Sequence, residues 1–212
     1  MKFFLTPLLA LSIFSIFFIS CDSDTGTEKE TKSITLKADT KNILNDPTFK
    51  DYVYDGYMFN QNIKDINKLN EILSKVDEKA TDFTTEEKEG IAYSAGLSSF
   101  DEYEIFIIKQ QTRVNTLEKD YGFVSGLTDN QREDLIFQHI DLIEPQVTDL
   151  CDRERRNCKI IANSIAVAGH VACVTADATI FLGVVCHGAV LTALYATLDN
   201  CEIAYIRCKE AA

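Results

Sequence analysis

Cysteine carries most of the reactive chemistry in this chain, and six of its seven cysteines are spaced symmetrically. Cys151, Cys158, Cys173, Cys186, Cys201 and Cys208 follow one another at steps of 7, 15, 13, 15 and 7. The pairs Cys151/Cys208, Cys158/Cys201 and Cys173/Cys186 share one midpoint, between Thr179 and Ile180. Such a mirror pattern is what two antiparallel helices need to face each other cysteine to cysteine. Along a straight helix, residues 7 apart differ by about 20° and residues 22 apart by about 40°. Each set of three cysteines therefore occupies one narrow stripe. Helices packed at about 8–10 Å bring Cα atoms to roughly 3.5–5.5 Å at closest approach, against the roughly 4.4–6.8 Å a disulfide needs. Six cysteines allow 15 pairings. The mirror spacing favours the nested set of three.

A second chemistry uses the same residues. His170, Cys173, Cys186 and His187 make up a Cys2His2 donor set of the kind that binds zinc. His170 and Cys173 have a workable helical step. Cys186 and His187 are adjacent, so on a helix they diverge by about 100° and do not easily share an ion. The disulfide reading is preferred, with no metal and no cofactor expected.

The elements that carry these residues are two helical legs, expected within 146–212. From Cys151 to the end, six Lys/Arg balance six Asp/Glu, yet between Ile160 and Leu198 the only formal charge is Asp177. Small residues (Ala162, Ala166, Gly169, Gly188, Ala189, Ala193) recur there and let helices approach closely. The apolar surface either packs against upstream helices, the preferred reading, or enters a bilayer. Each leg holds about 17–19 largely apolar residues, close to bilayer length. Asn163, Ser164, His170, Thr175, Thr192 and Thr197 dilute that apolarity. In architecture alone, the hairpin resembles the hydrophobic hairpin of pore-forming bacteriocins.

Upstream, 38–145 reads as a helical domain with no alternating strand pattern. Asp46-Pro47 opens a helix on which Phe49, Tyr52, Val53 and Tyr57 share a face. Ile66, Leu69, Ile72, Leu73 and Val76 repeat at helical spacing. Thr85 is the expected capping residue of a run with acid in its first turn. Ser99 caps a longer helix that ends between Gly122 and Gly126. Thr128 or Asp129 starts another, which Pro145 ends or kinks. Tyr52, Tyr54, Tyr57, Phe59, Tyr103 and Phe106 are expected in the core, and His139 reads as a surface or part-buried histidine.

The N-terminus addresses the protein. Lys2 precedes an apolar run from Phe3 to Ile19, and polarity rises at Asp22-Ser23-Asp24. That is the layout of a signal peptide. Phe18-Ile19-Ser20-Cys21 resembles the lipobox of bacterial lipoproteins, with Phe18 where leucine is usual. The resemblance covers the first 21 residues. It implies cleavage after Ser20, a mature N-terminus at Cys21 carrying acyl chains (palmitate among them), and a bilayer as partner. The acidic run after Cys21 is similar to sorting signals of surface-exported lipoproteins in some Gram-negative bacteria. Residues 1–20 are thus read as signal peptide and 21–37 as a flexible acidic tether, too polar to fold.

Composition agrees with this address. Export places the cysteines in an oxidising compartment, and Cys21 leaves an even six. The net charge of −12 argues against a nucleic-acid partner, which needs clustered Lys and Arg. No phosphate loop, nucleophile elbow or His-Glu-x-x-His is present. The sequence therefore leads to an all-α, lipid-anchored protein of the bacterial envelope, expected at the outer membrane. Its expected role is a non-enzymatic interaction or structural module with an unidentified protein partner. The alternatives are a membrane-active bacteriocin-like toxin or its immunity protein, and an uncharacterised envelope enzyme.

Overall fold

The computed structural model describes residues 42–76, 82–176 and 179–211. Cys21, the signal segment, the tether and Asp177 lie outside them. Among the described residues every regular element is helical. After a single helical turn at 42–45 come α1 (Pro47–Asn62), α2 (Ile66–Lys75), α3 (Thr85–Ser94), α4 (Phe100–Tyr121), α5 (Asp129–Ile143), α6 (Leu150–Ala176) and α7 (Ile180–Ala211).

Local chemistry sets the ends. Asp46 caps α1, its carboxylate accepting from the Thr48 and Phe49 amides, with Pro47 in the first turn. Thr84, one residue before the expected Thr85, caps α3 in a reciprocal capping box with Glu87. Placing Thr84 outside the helix frees its hydroxyl for the Glu87 amide. Ser99 caps α4, and Thr128 caps α5 in a second box with Gln131. Gly122 ends α4 at φ 63°, a left-handed cap that glycine adopts without steric cost. α5 stops at Ile143, two residues before Pro145.

The packing has two cores, and the hairpin contributes to both. The first gathers Phe49, Tyr52 and Val53 of α1, Val114 and Leu117 of α4, Leu135, Ile136 and Ile140 of α5, and Ile160, Val167, Val171 and Val174 of α6. The second gathers Phe59, Leu69, Ile91, Phe100, Tyr103 and Ile107 with Ala162 and Ala166 of α6 and Val184, Leu191 and Leu194 of α7. Valines on one side of α6 and alanines on the other let that helix wedge between the two. The aromatic expectation holds for Tyr52, Phe59 and Tyr103, which are buried. Tyr57 and Phe106 are partly buried, and Tyr54 stands exposed at 48 %. His139 lies at the buried limit of its expectation. It is buried at 9 % exposure, edge-on to Phe49, because α5 turns that side onto α1.

Candidate functional site: the stapled hairpin and its two faces

α6 and α7 pack as an antiparallel hairpin joined by three nested disulfides. Cys151–Cys208, Cys158–Cys201 and Cys173–Cys186 have Cα separations of 5.7, 5.8 and 5.5 Å. The values sit at and just above the range the helix geometry allowed, so all three rungs form on one seam. Close contact continues between them: a Cβ built on Gly169 would lie 3.3 Å from Val190.

The end of the hairpin away from its turn is held by charge. Glu202 accepts from Arg155 and Lys159, with separations of 2.7 and 2.8 Å. The Lys159 bond first, opposed by burial and aided by Arg155, keeps its carboxyl below the usual range. Lys209 reaches Asp149 at 2.8 Å and Asp152 at 3.4 Å. The Arg155 guanidinium lies 4.6 Å from the Tyr205 ring centre. Arg156 turns instead to α5, donating to the carbonyls of Asp141, Glu144 and Pro145. The Asp141 carbonyl is one that the helix C-terminus leaves unbonded, and Glu144 and Pro145 follow it, so the hairpin closes off the end of its neighbour.

The inner face carries a directed chain of buried polar groups. His187 and His170 meet through their Nδ1 atoms at 2.6 Å, and His170 Nε2 lies 3.3 Å from Asn60 Oδ1. Asn60 Nδ2 donates to Asn163 Oδ1 at 3.5 Å, and Asn163 Nδ2 donates to the Lys159 carbonyl at 2.9 Å. An amide oxygen only accepts, so His170 holds its proton on Nε2 and offers Nδ1 as acceptor. His187 must then carry its proton on Nδ1, which leaves Nε2 as a bare lone pair. That atom is the unpartnered one. The chain thus runs one way, from α7 through α6 and α1 back to α6. Burial pushes the His187 imidazole down to about 4, and burial followed by the nearby His187 holds His170 well below the ordinary value. Both rings border a void of about 10 Å³, also lined by Tyr52, Gly56, Phe106, Gln110 and Val167. It has room for a single water. The Tyr52 hydroxyl donates to the Val167 carbonyl at 2.7 Å.

Sequence reasoning missed this histidine pair. Rung arithmetic sets residue 170 opposite 189, and on an ideal helix adjacency to Cys186 turns His187 about 100° away from the rung. The available signal was that each histidine stands within a helical step of the innermost rung. The pairing does not produce the zinc donor set, since Cys173 and Cys186 bond to each other. Among the described residues no group of three His, Cys, Asp or Glu is placed to hold a metal.

The outer face is of opposite character. Taking 100° per residue, Ile161, Ile165 and Ala168 lie about 50–110° to one side of the mean rung direction on α6. Leu182, Ala189, Ala193 and Ala196 lie a similar angle from it on α7, on the same side of the hairpin. Ile161 is 50 % exposed, Ile165 38 % and Leu182 48 %. Ala189, Ala193 and Ala196 are exposed as well. Both helices are long and apolar enough to cross a membrane, but 56 % of that apolar window is buried in α6 and 33 % in α7. One face is packed against α1, α2, α4 and α5, and no other described helix packs on the other.

No protein-family model, curated protein or solved structure matches this chain.

Proposed function

We propose that the protein is an exported, lipid-anchored module of the bacterial envelope that acts by binding another protein, without catalysis, through the outer face of its stapled hairpin. The single observation that carries this reading is the bare, uncharged stripe of Ile161, Ile165, Leu182 and the α7 alanines on a helix pair fixed by three disulfides. An apolar face without charge marks an interaction surface. A face held rigid loses little conformational freedom on binding. The lipobox-like Phe18–Cys21 supplies the tether, since two or more acyl chains anchor a protein stably.

The test is a photoreactive side chain placed at Ile161 or Ala193 in living cells, with the exposed Ile105 of α4 as control. Defined protein adducts at the hairpin positions, absent at Ile105, are expected. Adducts at none of them would defeat the proposal. Cys21→Ser is expected to abolish acyl labelling and release the protein from the membrane.

The bilayer-length legs favour a second reading, in which the hairpin itself enters lipid. Its cost is concrete: Asn163, Ser164, His170 and His187 are buried against the upstream helices and would lose those partners in hydrocarbon. Dye release from lipid vesicles by the oxidised protein, lost when 160–198 is deleted, would replace the first reading with this one.

A further inference from the structure

The outer face is not uniform, and its asymmetry selects a partner. At one level of the hairpin α6 presents the bulky Ile161 and Ile165. At the same level α7 presents the small Ala193 and Ala196, since rung arithmetic sets residue 165 beside 194. The face is therefore a ridge on one leg and a groove on the other. Toward the end away from the turn, α6 exposes Glu154 and α7 exposes Arg207. The neighbouring charges Arg155, Lys159, Glu202 and Lys209 are all paired within the chain. Glu154 and Arg207 make no ion pair with any described residue.

Resting on the interaction-module reading, we infer that the partner is a second copy of this chain, joined face to face by a two-fold axis parallel to the hairpin. That operation leaves every residue at its own height and sets α6 of one copy on α7 of the other. Ile161 and Ile165 then enter the partner's alanine groove, and the same contact recurs with the roles exchanged, as an isologous interface requires. Glu154 comes opposite Arg207 of the other copy, twice. All neighbouring helices are antiparallel, giving a four-helix bundle with short loops within each pair. The alternative two-fold, lying in the interface plane and across the hairpin axis, lays the charged end of one copy over the uncharged stretch of the other. It would bury Glu154 and Arg207 without partners, which is unfavourable. The lack of charge between Ile160 and Leu198, apart from Asp177, lets two faces meet although each whole chain carries −12.

The experiment measures the mass of the full chain, purified in detergent with its disulfides oxidised, by light scattering. The wild type is expected at twice the chain mass. Ala193→Glu fills the groove with a charge and is expected to give a monomer with unchanged circular dichroism. Glu154→Arg and Arg207→Glu are each expected to weaken association about tenfold or more, because symmetry makes each change touch two pairs. The double exchange is expected to restore the dimer, a result no loss of folding would produce. A wild-type monomer at about 100 µM, where even weak specific pairs associate, would overturn self-pairing. So would a dimer indifferent to Ala193→Glu, or one not rescued by the double exchange. If the wild type is monomeric but Ile161 still crosslinks to another protein, the interaction reading survives and only the choice of partner fails. If neither occurs, both fail.

Discussion

His187 is the residue whose chemistry the fold changes most. Its bare Nε2 sits in the core, and its imidazole titrates at about 4 against about 6.5 in an unfolded chain. The fold favours the neutral ring, so between those two values the unfolded state binds more protons. Stability from this group is complete above about pH 6.5 and is lost as pH falls toward 4, about 3 kcal/mol in all. His170 and His139 are lowered in the same direction by burial and add to the slope. Urea unfolding at steps from pH 7 to 4.5 is expected to show falling stability, and His187→Leu should flatten the curve. A wild type equally stable across that range would contradict the buried neutral pair. At this scale the sequence was a partial guide. It placed His170 and His187 near a rung but could not bring them together, because helical phase says where a side chain starts and not how an imidazole bends across a seam. His139 is more deeply buried than its sequence context suggests for a related reason. The side of α5 that becomes interior is decided by α1, which lies some 80 residues earlier.

Among the elements, the hairpin was the most legible and its surroundings the least. The mirror spacing of six cysteines determines pairing, register and antiparallel sense together, and the disulfides follow it rung for rung. Which face of the hairpin is covered is a property of α1, α2, α4 and α5, so the cysteine pattern carries no information about it. Cap residues were readable to within a position, as the shift from Thr85 to Thr84 illustrates. Two predictions belong here. Replacing both Cys158 and Cys201 by serine removes a rung that only subdivides a loop already closed by Cys151–Cys208, so the loss is expected to be about 1–2 kcal/mol, less than an isolated loop closure gives. Cys158→Ser alone should expose one new thiol, at Cys201, to labelling of the denatured protein. Labelling at a different cysteine would refute the nested pairing. The second concerns the turn after α3. Gly96 has φ 78°, and a Cβ there would lie 2.1 Å from the Asn62 carbonyl oxygen. Gly96→Ala combines that clash with left-handed strain, so a loss of about 2 kcal/mol or more is expected, measured as a lowered Tm. An unchanged Tm would mean that the turn has no such constraint.

For the whole molecule, the question is what the three disulfides hold together. The middle of the hairpin belongs to both cores: Ile160, Val167, Val171, Val184 and Leu191 are all essentially buried. Its far end does not. Ile203 and Ile206 are about half exposed, and what ties 202–211 to α6 besides the Cys151–Cys208 and Cys158–Cys201 rungs is mainly exposed ion pairs and ring contacts, each worth about 1 kcal/mol or less. Reduction should therefore divide the hairpin. Amides of 184–194 are expected to keep most of their protection from hydrogen exchange, because apolar burial persists without the disulfides. Amides of 202–211 are expected to lose protection at least tenfold, since the opening free energy there was set by the rungs. Equal loss along both segments would show that the disulfides maintain the global fold, and equal retention would show that the far end is held by packing. The expected division also bears on the proposed partner, because Arg207 lies in the segment that loosens. Reduction should then weaken the dimer through its charged end while the Ile161 and Ile165 ridge stays in place.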